Sequence, residues 1–248
     1  MCLHGFTDTW RTWELVLPAL ERRHDVLAPT LTGHAGGPPL EEGSPDDALV
    51  DGVERAMDEA GFETAHIAGN SLGGYVALRL AARGRARTVV ALAPAGGWSG
   101  GDDSYLETLD DFVTMQETLE RTAPHAEAIV STPEGRRRAA ERMVERWEHI
   151  PVEMLAHQMR GVVGCTGVHP LVAHGKQVGW PLDPAAVTCP VRIVWGTADR
   201  ILPWPRAAAR YRAMLPHADW VELDGVGHGP QLDVPLEAAE LILGFTAP

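Results

Sequence analysis

Ser71 lies in Gly69-Asn70-Ser71-Leu72-Gly73, a G-x-S-x-G pentapeptide whose glycines leave room for a sharp turn with a serine at its apex. Taken alone the pattern is weak. In a chain of 248 residues, with glycine and serine each near ~7%, it would occur by chance about once in ten. Its surroundings sharpen it: His66-Ile67-Ala68 reads as a strand running in, residues 72–83 read as a helix running out, and Gly74 adds a further position without a side chain. A serine hydroxyl is a poor nucleophile until a base takes its proton, and the base needs an acid to hold the right tautomer. Two downstream positions meet that need. Asp199 follows the strand ending near Trp195, in Trp195-Gly196-Thr197-Ala198-Asp199, and His228 follows the strand ending near Leu223, in Gly225-Val226-Gly227-His228-Gly229. The order Ser71, Asp199, His228 is the one expected for a serine at a strand-to-helix turn. Asp224, next to His228, is a second acid, and Asp25 and Asp183 are others able to orient an imidazole.

These residues require a scaffold that brings several strand ends to one edge. Trp13, Val16, Leu17 and Leu20 recur at helical spacing and predict a helix over 10–20, followed by a short strand at Val26-Leu27-Ala28. Ser44 with Pro45 and the acids Asp46 and Asp47 predicts a helix start, Leu49, Val53, Met57 and Ala60 its buried face, and Gly61 its stop. Strands at 66–68 and 88–92 flank the helix over 72–83. From about 97 to 186 helical spacing dominates, as in Tyr105, Leu109, Phe112 and Leu119. The strand-helix rhythm then resumes with a strand at 191–195, a helix over 205–214, a strand at 220–223 and a last helix over 235–245. This alternation predicts an α/β core with a mostly parallel sheet, built from residues 1–96 and 187–248, interrupted by a helical cap at 97–186.

The chain resembles the α/β-hydrolase family through His4-Gly5-Phe6, Gly69-Asn70-Ser71-Leu72-Gly73-Gly74, Gly196-Thr197-Ala198-Asp199 and Gly227-His228. That resemblance implies helices on both faces of the sheet, an oxyanion hole formed by the N–H groups of Phe6 and Leu72, and His4, Gly5, Gly69 and Gly73 as supports around it. Thr32-Gly33-His34-Ala35-Gly36 resembles the family's Gly-His-Gly loop. Family members carry two strands before the one ending in His-Gly, whereas Met1, Cys2 and Leu3 alone precede His4 here. The expectation is therefore a missing or truncated N-terminal strand region, or an open sheet edge.

The implied activity is a serine hydrolase acting on a small to medium carboxylic ester or lactone through an acyl-enzyme. Rival readings are a C–C bond hydrolase of ring-cleavage products, a cofactor-free perhydrolase or haloperoxidase, and a non-catalytic ligand-binding member of the fold. Serine at position 71 disfavours the dehalogenase and epoxide-hydrolase branches, which look for an aspartate nucleophile. Trp98, Trp147 and Trp180, in or beside the cap, are candidate walls of an apolar pocket.

Composition excludes other classes. Lys and Arg number 21 against 34 acids, a net charge of −13, so counterion-release binding to nucleic acid is not expected. Cys2, Cys165 and Cys189 form no Cys-x-x-Cys pair, His149, His157, His169 and His174 show no zincin spacing, and no nucleotide loop is present. No metal and no cofactor are expected. No apolar run approaches the ~20 residues of a membrane span, and the free cysteines fit a reducing, cytoplasmic setting.

Overall fold

The computed structural model describes residues 1–41, 43–98 and 103–246. Strands β1 (Cys2–Leu3), β2 (Ala65–Asn70), β3 (Ala86–Leu92), β4 (Val191–Gly196) and β5 (Asp219–Leu223) form one parallel sheet in the order β1-β2-β3-β4-β5. Leu3 pairs with Gly69, Asn70 with Leu92, Leu92 with Val194, and Gly196 with Leu223. That register brings the carboxyl ends of all five strands to one edge, where an open α/β sheet presents its functional groups.

The helices are α1 (Leu17–Leu20), α2 (Pro45–Glu59), α3 (Leu72–Ala82), α4 (Leu106–Thr122), α5 (Ala126–Val130), α6 (Pro133–Ala140), α7 (Val152–Gly164), α8 (Val168–Gln177), α9 (Arg206–Met214), α10 (Pro230–Asp233) and α11 (Pro235–Leu243). Ser44 caps α2, its hydroxyl accepting the Asp47 N–H at 3.4 Å, as its position before Pro45 predicts. The strands are apolar on both sides and split their side chains by alternation. Val89, Ala91, Ile193 and Trp195 pack with Leu49, Val53, Leu80 and Tyr211 of α2, α3 and α9. Val90, Leu92 and Val194 face the other way, against Trp13, Val16, Leu20, Ala238 and Ile242. Helices α4 to α8 lie between β3 and β4 and hold their own apolar cluster, including Ala126, Val130, Met154, Leu155 and Ala156. Among the described residues no helix is long and apolar enough to cross a membrane.

Two expectations change. The helix over 10–20 divides into a 3₁₀ turn, Trp10–Trp13, and α1. Pro18 explains the division, because it lacks an N–H and its ring would collide with the carbonyl one turn back in a continuous helix. The strand at Val26-Leu27-Ala28 is irregular chain; Cys2 N–H donates to Leu27 C=O at 2.9 Å without building a ladder.

The β2–α3 turn packs with no room for side chains. A Cβ on Gly69 would strike the Gly73 carbonyl, and one on Gly73 would strike the Leu3 and His4 carbonyls. The G-x-S-x-G spacing is therefore a steric requirement: α3 passes so close to β2 and β1 that only hydrogen fits at these positions. Gly73→Ala must push α3 off β1, and we expect it to destabilise the fold by roughly 3 kcal/mol, the upper range for overpacking a rigid backbone contact. Urea unfolding of the two proteins measures this, and equal midpoints would contradict it.

Candidate active site

Ser71 sits between β2 and α3 at φ 53° and ψ −116°, a strained left-handed conformation for a residue with a side chain. The strain is held by backbone bonds. Ser71 N–H donates to Leu92 C=O at 2.9 Å, and its own carbonyl accepts from Tyr75 N–H at 3.1 Å and Ala95 N–H at 3.0 Å. Across from it, a Cβ on Gly5 would come to 3.3 Å from Ser71 Cβ, so the His4-Gly5-Phe6 loop also depends on a missing side chain. Among the described residues neither the Phe6 nor the Leu72 N–H is taken up by a protein acceptor. Leu72 opens α3, where backbone donors lack intrahelical partners and the helix dipole favours negative charge.

His4 fixes that loop. Its Nε2 accepts the Leu31 N–H at 2.9 Å while Nδ1 lies 2.7 Å from Gly5 C=O, an arrangement only a neutral ring with its proton on Nδ1 satisfies. Burial, reinforced by the nearby His34, holds its pKa well below the ordinary histidine range. His34 stands edge-on to both His4 and Phe6, at 5.0 and 5.8 Å between ring centroids.

The structure brings His228 and Asp199 together. Nδ1 of the buried His228 donates to Asp199 Oδ2 at 2.8 Å, which leaves Nε2 as the basic nitrogen. Asp199 Oδ1 accepts the N–H groups of Ile201 at 2.9 Å and Leu202 at 2.8 Å, so the carboxylate's orientation is fixed by the turn after β4. The other acids are engaged elsewhere: Asp224 accepts from Thr197 Oγ1 at 3.2 Å in an exposed turn, Asp183 accepts from Ala185 N–H at 3.0 Å, and Asp25 lines a separate recess with Met1 and His66. A direct bond from Ser71 Oγ to His228 is not among those the structure makes. Such contacts are often long before substrate binds.

Residues that motif reading passed over hold the two sides in place. Asn70 Nδ2 donates to His228 C=O at 3.0 Å and Leu92 C=O at 3.1 Å, and its Oδ1 accepts from Gln231 Nε2 at 3.1 Å. The residue before Ser71 thus fastens the His228 loop to the serine turn. Buried Asp233 accepts Gly227 N–H at 2.7 Å, Arg146 N–H at 2.8 Å and Glu145 N–H at 3.1 Å, tying that same loop to the segment between α6 and α7. A buried polar residue inside the pentapeptide was a readable signal for Asn70; the sequence carries no comparable signal for Asp233.

An apolar recess opens beside Ser71, bordered by Phe6, Leu72, Tyr75, Trp98, Tyr105, Phe112 and Trp180 among others. Of the three tryptophans expected at a pocket, Trp98 and Trp180 border this recess, whereas Trp147 packs against the α5–α7 cluster with the Arg136 guanidinium 5.5 Å over its ring.

The buried histidines give the fold an acid limit. Burial pushes the His34 pKa down to about 4, whereas an unfolded chain binds that proton near ~6.5. Its contribution is complete above the unfolded value and is lost as pH falls toward the folded one. Replacing it by His34→Gln should narrow the stability gap to wild type by about 3 kcal/mol between pH 7 and pH 4. Asp8, whose burial pushes its carboxyl up to about 6, titrates with the opposite sign and cancels in this difference. Urea unfolding of both proteins across that range checks the expectation, and a gap independent of pH would refute it.

The sequence profile described as the alpha/beta hydrolase family matches residues 1–241. An epoxide hydrolase, EphH, of Mycobacterium tuberculosis is 34% identical over 203 residues, covering 79% of this chain and 92% of the relative. The dihydrolipoyllysine-residue acetyltransferase component of the acetoin cleaving system of Cupriavidus necator is 29% identical over 236 residues, 93% of this chain but 59% of that protein's length. Among solved structures, 2-hydroxy-6-oxo-6-phenylhexa-2,4-dienoate hydrolase from Rhodococcus superposes with a TM-score of 0.76 at 21% identity, over 98% of this chain and 88% of that one, a likeness of fold. A family match that starts at the first residue and runs into α11, on a parallel sheet whose second strand turns into a helix at a serine, makes this chain a member of the alpha/beta hydrolase family.

Proposed function

We propose that this protein is a serine hydrolase that cleaves an uncharged carboxylic ester or lactone of small to medium size through an acyl-enzyme. The observation that carries the reading is the buried Asp199–His228 hydrogen bond, 2.8 Å long, on a loop that Asn70 fastens to the serine turn. His228 takes the Ser71 proton at Nε2, Ser71 Oγ attacks the substrate carbonyl, and the N–H groups of Phe6 and Leu72 receive the oxyanion. Asp199 holds the tautomer and stabilises the imidazolium. His228 then protonates the leaving oxygen, and water enters by the same route to release the acid. Helices α4 to α8 act as the cap, since Leu109 and Phe112 of α4 and Leu171 of α8 wall the recess over Ser71.

Two names among the relatives suggest other chemistry. Epoxide opening through a covalent ester would use a carboxylate nucleophile, and position 71 offers a hydroxyl. The Rhodococcus enzyme's dienoate is an anion at neutral pH, whereas the described residues lining the recess include no lysine or arginine, which favours an uncharged substrate. The protein is expected to turn over p-nitrophenyl acetate, to leave a terminal epoxide unopened, and to lose about 10⁴- to 10⁶-fold of kcat in Ser71→Ala and about 10⁴-fold in Asp199→Asn, magnitudes typical of serine hydrolases. Ester turnover that survives Ser71→Ala, or epoxide opening by that variant, would overturn the reading.

A further inference from the structure

We infer that Asp8 is a positioning residue through which α7 holds the turn that carries Phe6, a proposed oxyanion donor. This inference rests on the serine-hydrolase reading and extends it to how that donor is kept in place.

Gly5, Phe6, Thr7 and Asp8 form a tight turn, closed by Asp8 N–H donating to Gly5 C=O at 3.3 Å. Its third residue is Thr7 at φ 65°, a left-handed position that suits glycine and strains a β-branched side chain. Such a turn persists only where its neighbours over-determine it. The Thr7 hydroxyl donates to Phe6 C=O at 2.7 Å, a bond within the turn itself, so anchorage from outside falls to the residues that follow. Asp8 Oδ1 accepts Thr9 N–H at 2.8 Å, and Oδ2 accepts from Gln158 Nε2 of α7 at 3.3 Å. Thr9 Oγ1 meets Nε2 of His157, the preceding residue of α7, at 3.0 Å.

The Asp8 carboxylate is costly to keep in this place. Burial pushes its pKa up to about 6, and its partners, the Thr9 N–H, the Thr12 hydroxyl and the Gln158 amide, are all neutral. The charged side chains of the adjoining elements are engaged elsewhere, Arg11 with Glu14 and Arg160 with Glu127. At neutral pH hydrogen bonds alone compensate the charge, so loss of the Gln158 donor bears directly on the turn. Thr12 carries the link further. Gln231 Nε2 donates to Thr12 Oγ1 at 3.3 Å and to Asn70 Oδ1 at 3.1 Å, which leaves the Thr12 hydroxyl proton for Asp8. Asp8 thus joins α7 to a polar chain that ends at the residue before Ser71, and does for the Phe6 loop what Asp233 does for the His228 loop.

The test measures kcat and KM for p-nitrophenyl acetate, and Ki for 1,1,1-trifluorobutan-2-one, whose hemiketal with a serine places an oxyanion where the transition state does. Gln158→Glu sets a second carboxylate against Asp8. It is expected to lower kcat about tenfold or more, part of the roughly 10²–10³ that loss of a whole donor costs, and to weaken the ketone by the same factor. KM should stay within about threefold. Adding Asp8→Asn supplies an amide donor to the introduced carboxylate, and the double variant should recover kcat to within about threefold of wild type. Should Gln158→Glu fail to fold, Gln158→Ala, which only removes the donor, carries the test with an expected loss of about threefold in kcat and in ketone affinity. A folded Gln158 variant with wild-type kcat, a loss of kcat that leaves ketone affinity unchanged, or a double variant without recovery would overturn the inference while leaving the reading intact, provided turnover vanishes in Ser71→Ala. Turnover that persists in Ser71→Ala defeats the reading itself, and the inference with it.

Discussion

The contact of the β2–α3 turn with the end of β1 is the constraint on which the site depends. Gly73 lies against the Leu3 and His4 carbonyls so closely that no side chain fits, and that approach brings the His4-Gly5-Phe6 loop to Ser71. Everything placed beside the serine follows from it. The first residue of α3 and the loop after β1 are pressed together by that contact, and Ser71 keeps its strained φ because bonds to Leu92, Tyr75 and Ala95 hold both sides of the turn. Strain of this kind costs about 1–3 kcal/mol and persists only where neighbouring structure over-determines it.

A second layer of buried polar groups converts that contact into a connected site. Asn70 joins β2, β3 and the His228 loop through one amide, and Asp233 joins the same loop to the chain between α6 and α7. An unsatisfied buried partner costs roughly 1–3 kcal/mol, so each bond resists separate movement of the serine turn, the histidine loop and the helical segment above them. The neutral His4, with one nitrogen accepting and one donating, gives the remaining loop the same kind of rigidity. His34 packs edge-on between His4 and Phe6, so the ring expected to make the fold acid-sensitive also lies against this loop.

The parts of this arrangement legible in the sequence are those set by local rules. Glycine spacing around Ser71 reports a close backbone approach, strand-helix alternation reports the parallel sheet, and the strand-end positions of Asp199 and His228 report the edge on which they meet. What escaped reading depends on tertiary partners. Trp147 and Trp98 both look like pocket aromatics, yet one packs against the cluster of α5 and α7 and the other borders the recess beside Ser71, a difference that local spacing alone cannot supply. Asp233 reads as an ordinary acid two residues before a proline, since two of its three backbone donors, Glu145 and Arg146, lie far along the chain. Val26-Leu27-Ala28 has strand composition, but a ladder needs more than the single bond Cys2 provides, and Pro18 breaks a helix that apolar spacing alone would have continued.

The central claim is that Ser71 is the nucleophile, and covalent trapping tests it most directly. The folded protein is incubated with a fluorophosphonate, its intact mass is measured, and the labelled peptide is mapped. One adduct per chain is expected, located on Ser71 and absent from Ser71→Ala. A folded protein that takes up no label, or an adduct that remains in Ser71→Ala, would contradict it.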